Sequence, residues 1–368
     1  MRNIHLVRKT NVSIWQRILF YVIGIVVSLL IGAVLLMSLK INPLNYYRDM
    51  VTIGLIGNRY PFKCVEGFLK IFVPLLIVSM ALALSFKMKF WNVGGEGEFI
   101  TGAIFAAMVA FKLGDSLPSP VVLLLMCLMA ALASGLIGLL VAFLKVKFNT
   151  NETLVTLMIN YIMLYVIKYL GETKAPWNFF LREDSERPIF GKFPKNAQMP
   201  AIKIGDFNLL ISVIMAVIIA AMIIVYLRKT KQGYEISVVG DSADTARYAG
   251  MRVKMIIMRT MFLSAALIGL AGAFTASSST TISTSITNNV GWTGVIVAWL
   301  AKLSPSGMII ATFLISILQY GCQAASTSYP AIDRNFADLM QGIILFSILV
   351  ADFAVSFKIV RKKEGENA

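Results

Sequence analysis

Residues Ile18–Leu39 read ILFYVIGIVVSLLIGAVLLMSL, a run without a single charge. At 1.5 Å per residue it reaches about 33 Å, enough to cross a hydrocarbon core of about 30 Å. Arg2, Arg8, Lys9 and Arg17 precede it, and no small-x-small cleavage site follows. The run is also longer than the roughly 7–15 residues of a signal-peptide core, so it reads as a retained anchor. Trp15 and Tyr21 stand where an interfacial aromatic belt belongs. Nine further apolar runs follow, at 68–86, 99–113, 119–143, 152–170, 208–227, 257–275, 291–301, 308–320 and 336–355. The run at 291–301 is short. Composition points the same way: 58% of residues are hydrophobic, 14% are charged, and the mean hydropathy is +0.77. The expectation is an all-α polytopic membrane protein with about ten transmembrane helices.

Orientation follows from the basic residues, which gather on cytoplasmic loops. Placing the amino end inside puts the densest basic stretch, 228–259, on the cytoplasmic side, and with it both termini. The domain reading is then a cytoplasmic segment 1–17, a transmembrane domain 18–355 and a basic tail 356–368. Within the membrane domain, 171–207 is a long external loop and 228–256 a cytoplasmic loop.

Several functional classes drop out. The single histidine, His5, argues against His-based metal sites and Ser-His-Asp chemistry. The chain contains no G-x-x-x-x-G-K-[ST] phosphate loop, so it does not hydrolyse ATP by that route. Cys64, Cys127 and Cys322 lie far apart and read as unpaired small residues. The net charge of +15 belongs to basic loops facing the cytoplasm and not to a nucleic-acid surface. No catalytic residue, metal or cofactor is expected.

Two segments break the pattern of apolar helix plus short connector. The first, Trp91-Asn92-Val93-Gly94-Gly95-Glu96-Gly97-Glu98-Phe99, sets three glycines and two carboxylates into hydrophobic sequence. It reads equally as backbone lining a cavity at membrane depth or as a cytoplasmic turn after Lys87 and Lys89. A mixed reading is a loop dipping in from the cytoplasmic face, with Glu96 packed against other helices. The second break lies in 233–250. Asp241 or Ser242 can N-cap a helix of about two turns, Asp244 adds charge to its first turn, and Gly250 suits its end. So short a helix needs a partner surface, either on its own chain or elsewhere. Among intramembrane polar groups, Thr156 and Asn160 share a helix face beside Tyr161. These are substrate contacts or interhelical hydrogen bonds. Trp292 is a ring-stacking candidate or an interfacial anchor, and Asp352 reads as a solvated helix end.

Three stretches carry a family resemblance over roughly 68–355. Asn92–Glu98 is close to an N-[IV]-G-[GA]-E-G-Q block. Asn151–Ile162 resembles N-E-x-[IV]-x-T-L-M-x-N-Y, and Gly233–Val253 resembles a G-[YF]-E-x-x-x-x-G loop. Together they resemble the permease subunits of ABC importers for branched-chain amino acids, ribose-like sugars and nucleosides, closest to the nucleoside and simple-sugar branch. Glu98 stands where glutamine is usual, and the Ser/Thr-rich run 275–287 has no counterpart in the pattern.

The resemblance implies a permease in a bacterial plasma membrane that imports a polar neutral solute, such as a nucleoside, a simple sugar or a related ring compound. Its implied partners are cytoplasmic ATPase subunits, a second permease (similar or identical) and an extracytoplasmic substrate-binding lipoprotein. It makes the cytoplasmic loop the coupling element, with Asp241, Asp244, Arg247, Tyr248 and Gly250 at the ATPase. The candidate pathway residues are Asn92, Gly94, Gly95, Glu96, Glu98, Thr156, Asn160, Tyr161 and Trp292. The alternative is an ion-coupled secondary transporter acting alone, with Glu96 and Glu98 as the acidic pair placed to serve it.

Overall fold

The computed structural model describes residues 4–8, 13–52, 61–329, 332 and 334–361. In chain order these form β1 (Ile4–Arg8), α1 (Ile14–Ser38), α2 (Pro43–Val51), α3 (Pro61–Lys87), α4 (Gly95–Leu113), α5 (Ser119–Phe148) and α6 (Glu152–Glu172). The second half holds β2 (Ala201–Ile204), β3 (Phe207–Leu210), α7 (Ile211–Lys229), α8 (Lys231–Asp241), α9 (Ala243–Tyr248), α10 (Val253–Ser279), α11 (Val290–Leu300), α12 (Pro305–Ser326), α13 (Arg334–Ser356) and β4 (Phe357–Arg361). Helices α1, α3, α5, α6, α7, α10, α12 and α13 are long and apolar enough to cross a membrane. Helices α4 and α11 occupy the other two apolar runs. The chain is an all-α polytopic membrane protein. Part of segment 1–17 and most of tail 356–368 lie outside the described residues.

The chain divides into two compact units. One is made of residues up to Cys64 and from Ile317 onward. In it α1 packs along α13, and Gly24 lets α1 close on Ala351 and the Ser347 carbonyl. Asp352, half-exposed near the end of α13, accepts from the Tyr21 hydroxyl at 2.6 Å. Helix α2, which apolar periodicity does not reveal, starts at Asn42, whose side chain accepts from the Leu44 N–H, with Pro43 in its first turn. Strands β1 and β4 pair antiparallel, Ile4 opposite Arg361, so the two ends of the described chain lie together.

The second unit, Val65–Ser316, is organised around α4. Apart from its ends this helix is apolar or small on every side and almost wholly buried, as a helix surrounded by protein must be. Helices α5, α6, α10 and α11 pack around it. Its closest approach is to α10, where a Cβ on Gly102 would run into the Gly269 backbone. The hydroxyls of this unit mostly serve neighbouring backbone: Ser264 donates to the Ala81 carbonyl at 2.7 Å, tying α10 to α3.

Two sequence expectations change here. The stretch 228–259, read as a cytoplasmic loop with one short helix, holds the end of α7, two short helices and the start of α10. Thr230 caps α8 by accepting from the Gly233 N–H, and α8 buries Ile236 and Val239. The Arg259–Glu235 ion pair, at 3.0 Å, holds it to α10. The long segment 171–207 is also built. Phe180, Leu181 and Phe193 are buried, and β2 and β3 form a hairpin. The unmatched Ser/Thr run explains the anchoring of this segment: Ser277 donates to the Ala197 carbonyl and Thr281 to the Gly191 carbonyl, both at 2.8 Å.

Candidate functional site

The Gly-Glu block is where α4 begins, and helical geometry starts at Gly95. The Asn92 side chain organises the approach, accepting from the Gly94 N–H at 3.0 Å while its amide donates to both oxygens of Glu98 at 3.1 and 3.2 Å. Two acidic side chains, Glu96 and Glu98, stand in the first turn of the helix. Asn92, Glu96 and Glu98 are all buried.

Helix α6 supplies the second layer. Asn160 spans the start of α4: its carbonyl oxygen accepts from the Gly97 N–H at 2.8 Å, and its amide donates to the Val93 carbonyl at 2.9 Å. Four residues earlier, the Thr156 hydroxyl accepts from the Val93 N–H at 3.2 Å. Both side chains lie on the buried face of α6. Ser134 of α5 closes the other side by donating to the Glu98 carbonyl at 2.7 Å.

Glu96 forms the third layer by reaching α11. Asn289, the residue that begins α11, has left-handed backbone and makes no side-chain cap. One Glu96 oxygen instead accepts from the Gly291 N–H at 2.9 Å and the Trp292 N–H at 3.4 Å. Thr287 adds a side-chain hydrogen bond to the same carboxylate. Glu96 is thus the N-cap of a helix almost 200 residues downstream. The absence of a side chain at Gly291 is what allows the approach, since a Cβ there would strike the Glu96 backbone.

Seven of the nine candidate pathway residues therefore meet in one buried assembly: Asn92, Gly94, Gly95, Glu96, Glu98, Thr156 and Asn160. Trp292 joins through its backbone, with its ring 40% exposed, and Tyr161 points away on the open face of α6, 61% exposed. The block is packed inside protein, with Glu96 set against another helix. Sequence reasoning missed Ser134, Thr287 and Gly291. Their only signal is a small or hydroxylated residue inside an apolar or Ser/Thr-rich run, which does not name a partner.

The candidate coupling residues lie apart from this assembly. Ser242 caps α9 by accepting from the Thr245 N–H at 3.2 Å, while Asp241 closes α8. Ala246 is the buried side of α9, set against Met88, Phe90, Ile236 and Val253 among others. Gly250 follows with a φ of +76°, the left-handed turn glycine favours. The other side is open: Asp244 and Arg247 pair at 2.9 Å in solvent, and Tyr248 is 94% exposed.

A model of the family described as "branched-chain amino acid transport system / permease component" matches residues 64–349. The chain belongs to this family. It is also similar along nearly its whole length to curated permeases. The nucleoside ABC transporter permease NupB of Lactococcus lactis is 25% identical, over 96% of this chain and 99% of that one. The guanosine ABC transporter permease NupP of Bacillus subtilis is 26% identical, again over 96% and 99%. The glucose ABC transporter permease TsgB13 of Haloferax volcanii is 24% identical, over 95% and 92%. The chain is the membrane-embedded permease component of an importer and not itself an enzyme; ATP hydrolysis and substrate capture fall to partner subunits. The alternative of a carrier working alone on an ion gradient is not favoured.

Proposed function

We propose that the chain is the permease of an ABC importer for a polar neutral ring compound, a nucleoside or a simple sugar. It would work beside a second permease, similar or identical, and take its solute from an extracytoplasmic binding lipoprotein. The observation that carries the reading is α9, a short capped helix with one face packed on its own chain and Asp244, Arg247 and Tyr248 turned outward. Tyr and Arg are the residue types that dominate docking energy when buried by a partner. The solute class is supported by the relatives, which are named for nucleosides, guanosine and glucose. On this reading the assembly of Asn92, Gly94, Gly95, Glu96, Glu98, Thr156 and Asn160 is the frame of the path, and Trp292 and Tyr161 present rings beyond it.

The test is reconstitution in vesicles. Uptake of guanosine or glucose is expected only when the ATPase, ATP and the binding protein are all present. Concentrative uptake by this chain alone under a proton or sodium gradient would overturn the assignment.

A further inference from the structure

Helix α6 buries only a narrow seam, Thr156, Asn160, Ile167 and Gly171. Its opposite face is open and changes character along its length. The first half shows Leu154 and Met158; from the middle onward it shows Tyr161, Ile162, Tyr165 and Tyr169, each more than half exposed. Side chains four apart stand one above another on a helix, so the three rings form a file about 12 Å long. At the far end Trp177 lies against Tyr169, with ring centroids 6.0 Å apart and planes 22° from parallel. Between Tyr161 and Tyr169 the only formal charge is Lys168, whose ammonium sits over the Tyr165 ring at 5.4 Å.

Two features mark this file. The hydroxyls of the buried Tyr46 and of the half-buried Tyr21, Tyr47 and Tyr329 each donate to a carboxylate or carbonyl of the chain. Those of Tyr161, Tyr165 and Tyr169 have no hydrogen-bond partner among the described residues. Depth is the second feature. Tyr161 lies about 14 Å along α6 from Glu152, close to the middle of a hydrocarbon core of about 30 Å. An interfacial belt accounts for Tyr169 but not for a phenol at mid-depth, where lipid offers its hydroxyl nothing.

We propose that this file is a wall of the solute path, with Trp177 as its outermost station. The rings stack on the flat face of a neutral ring solute, and the hydroxyls exchange hydrogen bonds with its polar groups. The inference rests on the reading of the chain as a permease for such solutes. Lipid and a second copy of this chain are the other possible occupants of the face, and the test separates them.

Single cysteines replace Tyr161, Tyr165, Tyr169 and the exposed Leu124 of α5, in a chain whose Cys64, Cys127 and Cys322 are alanine. Each variant is assembled with its ATPase and binding protein in vesicles and treated with a membrane-impermeant thiol reagent. Y165C and Y169C are expected to react about tenfold faster than L124C, and guanosine or glucose, whichever is transported, is expected to slow that reaction. Y165F is expected to keep most uptake, while Y165A loses about tenfold with assembly intact. Reaction only with a membrane-permeant maleimide would assign the face to lipid and overturn the proposal. Disulfides between two copies without reaction from water would assign it to a subunit interface, with the same consequence. Water reactivity indifferent to a transported solute would also overturn it. If the assembled wild type takes up neither probe, the solute assignment fails, and water reactivity still decides whether the file lines an aqueous path.

Discussion

Glu96 holds α11 by its first free N–H groups, and that role sets what its replacement should do. Loss of an N-cap costs roughly 0.5–2 kcal/mol, so Glu96→Ala should lower the thermal unfolding midpoint of the purified protein in detergent. Glu96→Gln keeps an acceptor and should lower it less. An unchanged midpoint for Glu96→Ala would mean that α11 does not depend on this bond. Asn160 is the stricter case, because it serves a donor and an acceptor together. Asn160→Leu strands both the Gly97 N–H and the Val93 carbonyl, at about 1–3 kcal/mol for each buried group left unpaired. The same midpoint measurement should therefore place Asn160→Leu below Glu96→Ala. The shared face of Thr156 and Asn160 was legible in their spacing. Their partners were not, because Val93 and Gly97 lie more than 60 positions away and nothing in a helical repeat names a contact so distant. Tyr161 shows the same limit from the other side: adjacency to Asn160 in sequence put it with the site, while the helical turn carries it to the open face.

At the scale of elements, the apolar runs were readable because lipid imposes a long uninterrupted pattern, and each run is a helix. Helices α2 and α8 escaped because they are short, polar and held by caps and packing instead of hydrophobic length. The cap of α9 was visible in Ser242, and its consequence can be measured. The Asp244–Arg247 pair is exposed on both sides, and such pairs add little to stability. Arg247→Glu should thus leave the unfolding midpoint in place. If α9 docks on the ATPase, the same change should cut solute-stimulated ATP hydrolysis and uptake together; wild-type values of both would remove α9 from the coupling role. The Ser/Thr run 275–287 supplies a separate test. Ser277→Ala with Thr281→Ala removes two bonds to the 171–207 segment. Limited proteolysis should then cut that segment faster, with the membrane helices still protected. Unaltered cleavage would show that the buried Phe180, Leu181 and Phe193 hold the segment without these hydroxyls.

For the whole molecule, the strand pairing of β1 with β4 constrains how often the chain crosses. If the paired ends share one face of the membrane, the chain crosses an even number of times. Eight helices qualify by length and apolarity. Helix α4, with 19 residues, rises about 28 Å, close to the thickness of a hydrocarbon core of about 30 Å. Helix α11, with 11 residues, rises only about 16 Å and falls short of a hydrocarbon core of about 30 Å. The non-helical stretch 281–289 ahead of it supplies the remaining distance. Such backbone survives at membrane depth only inside protein, and here Ile282, Ile286 and Thr287 are buried while Glu96 receives the free N–H groups at the helix start. With eight qualifying helices and α4, an even count needs 281–300 to cross as one unit, and that is the expected outcome. Impermeant thiol labelling of intact cells expressing single-cysteine variants decides the matter. Cysteines at Ser116 and Glu186 should react from outside, and those at Thr245 and Ser304 only after the membrane is opened. If Ser304→Cys reacts from outside while Thr245→Cys stays protected, the 281–300 unit does not cross. The carboxyl end would then face away from the amino end, in conflict with the pairing of β1 and β4.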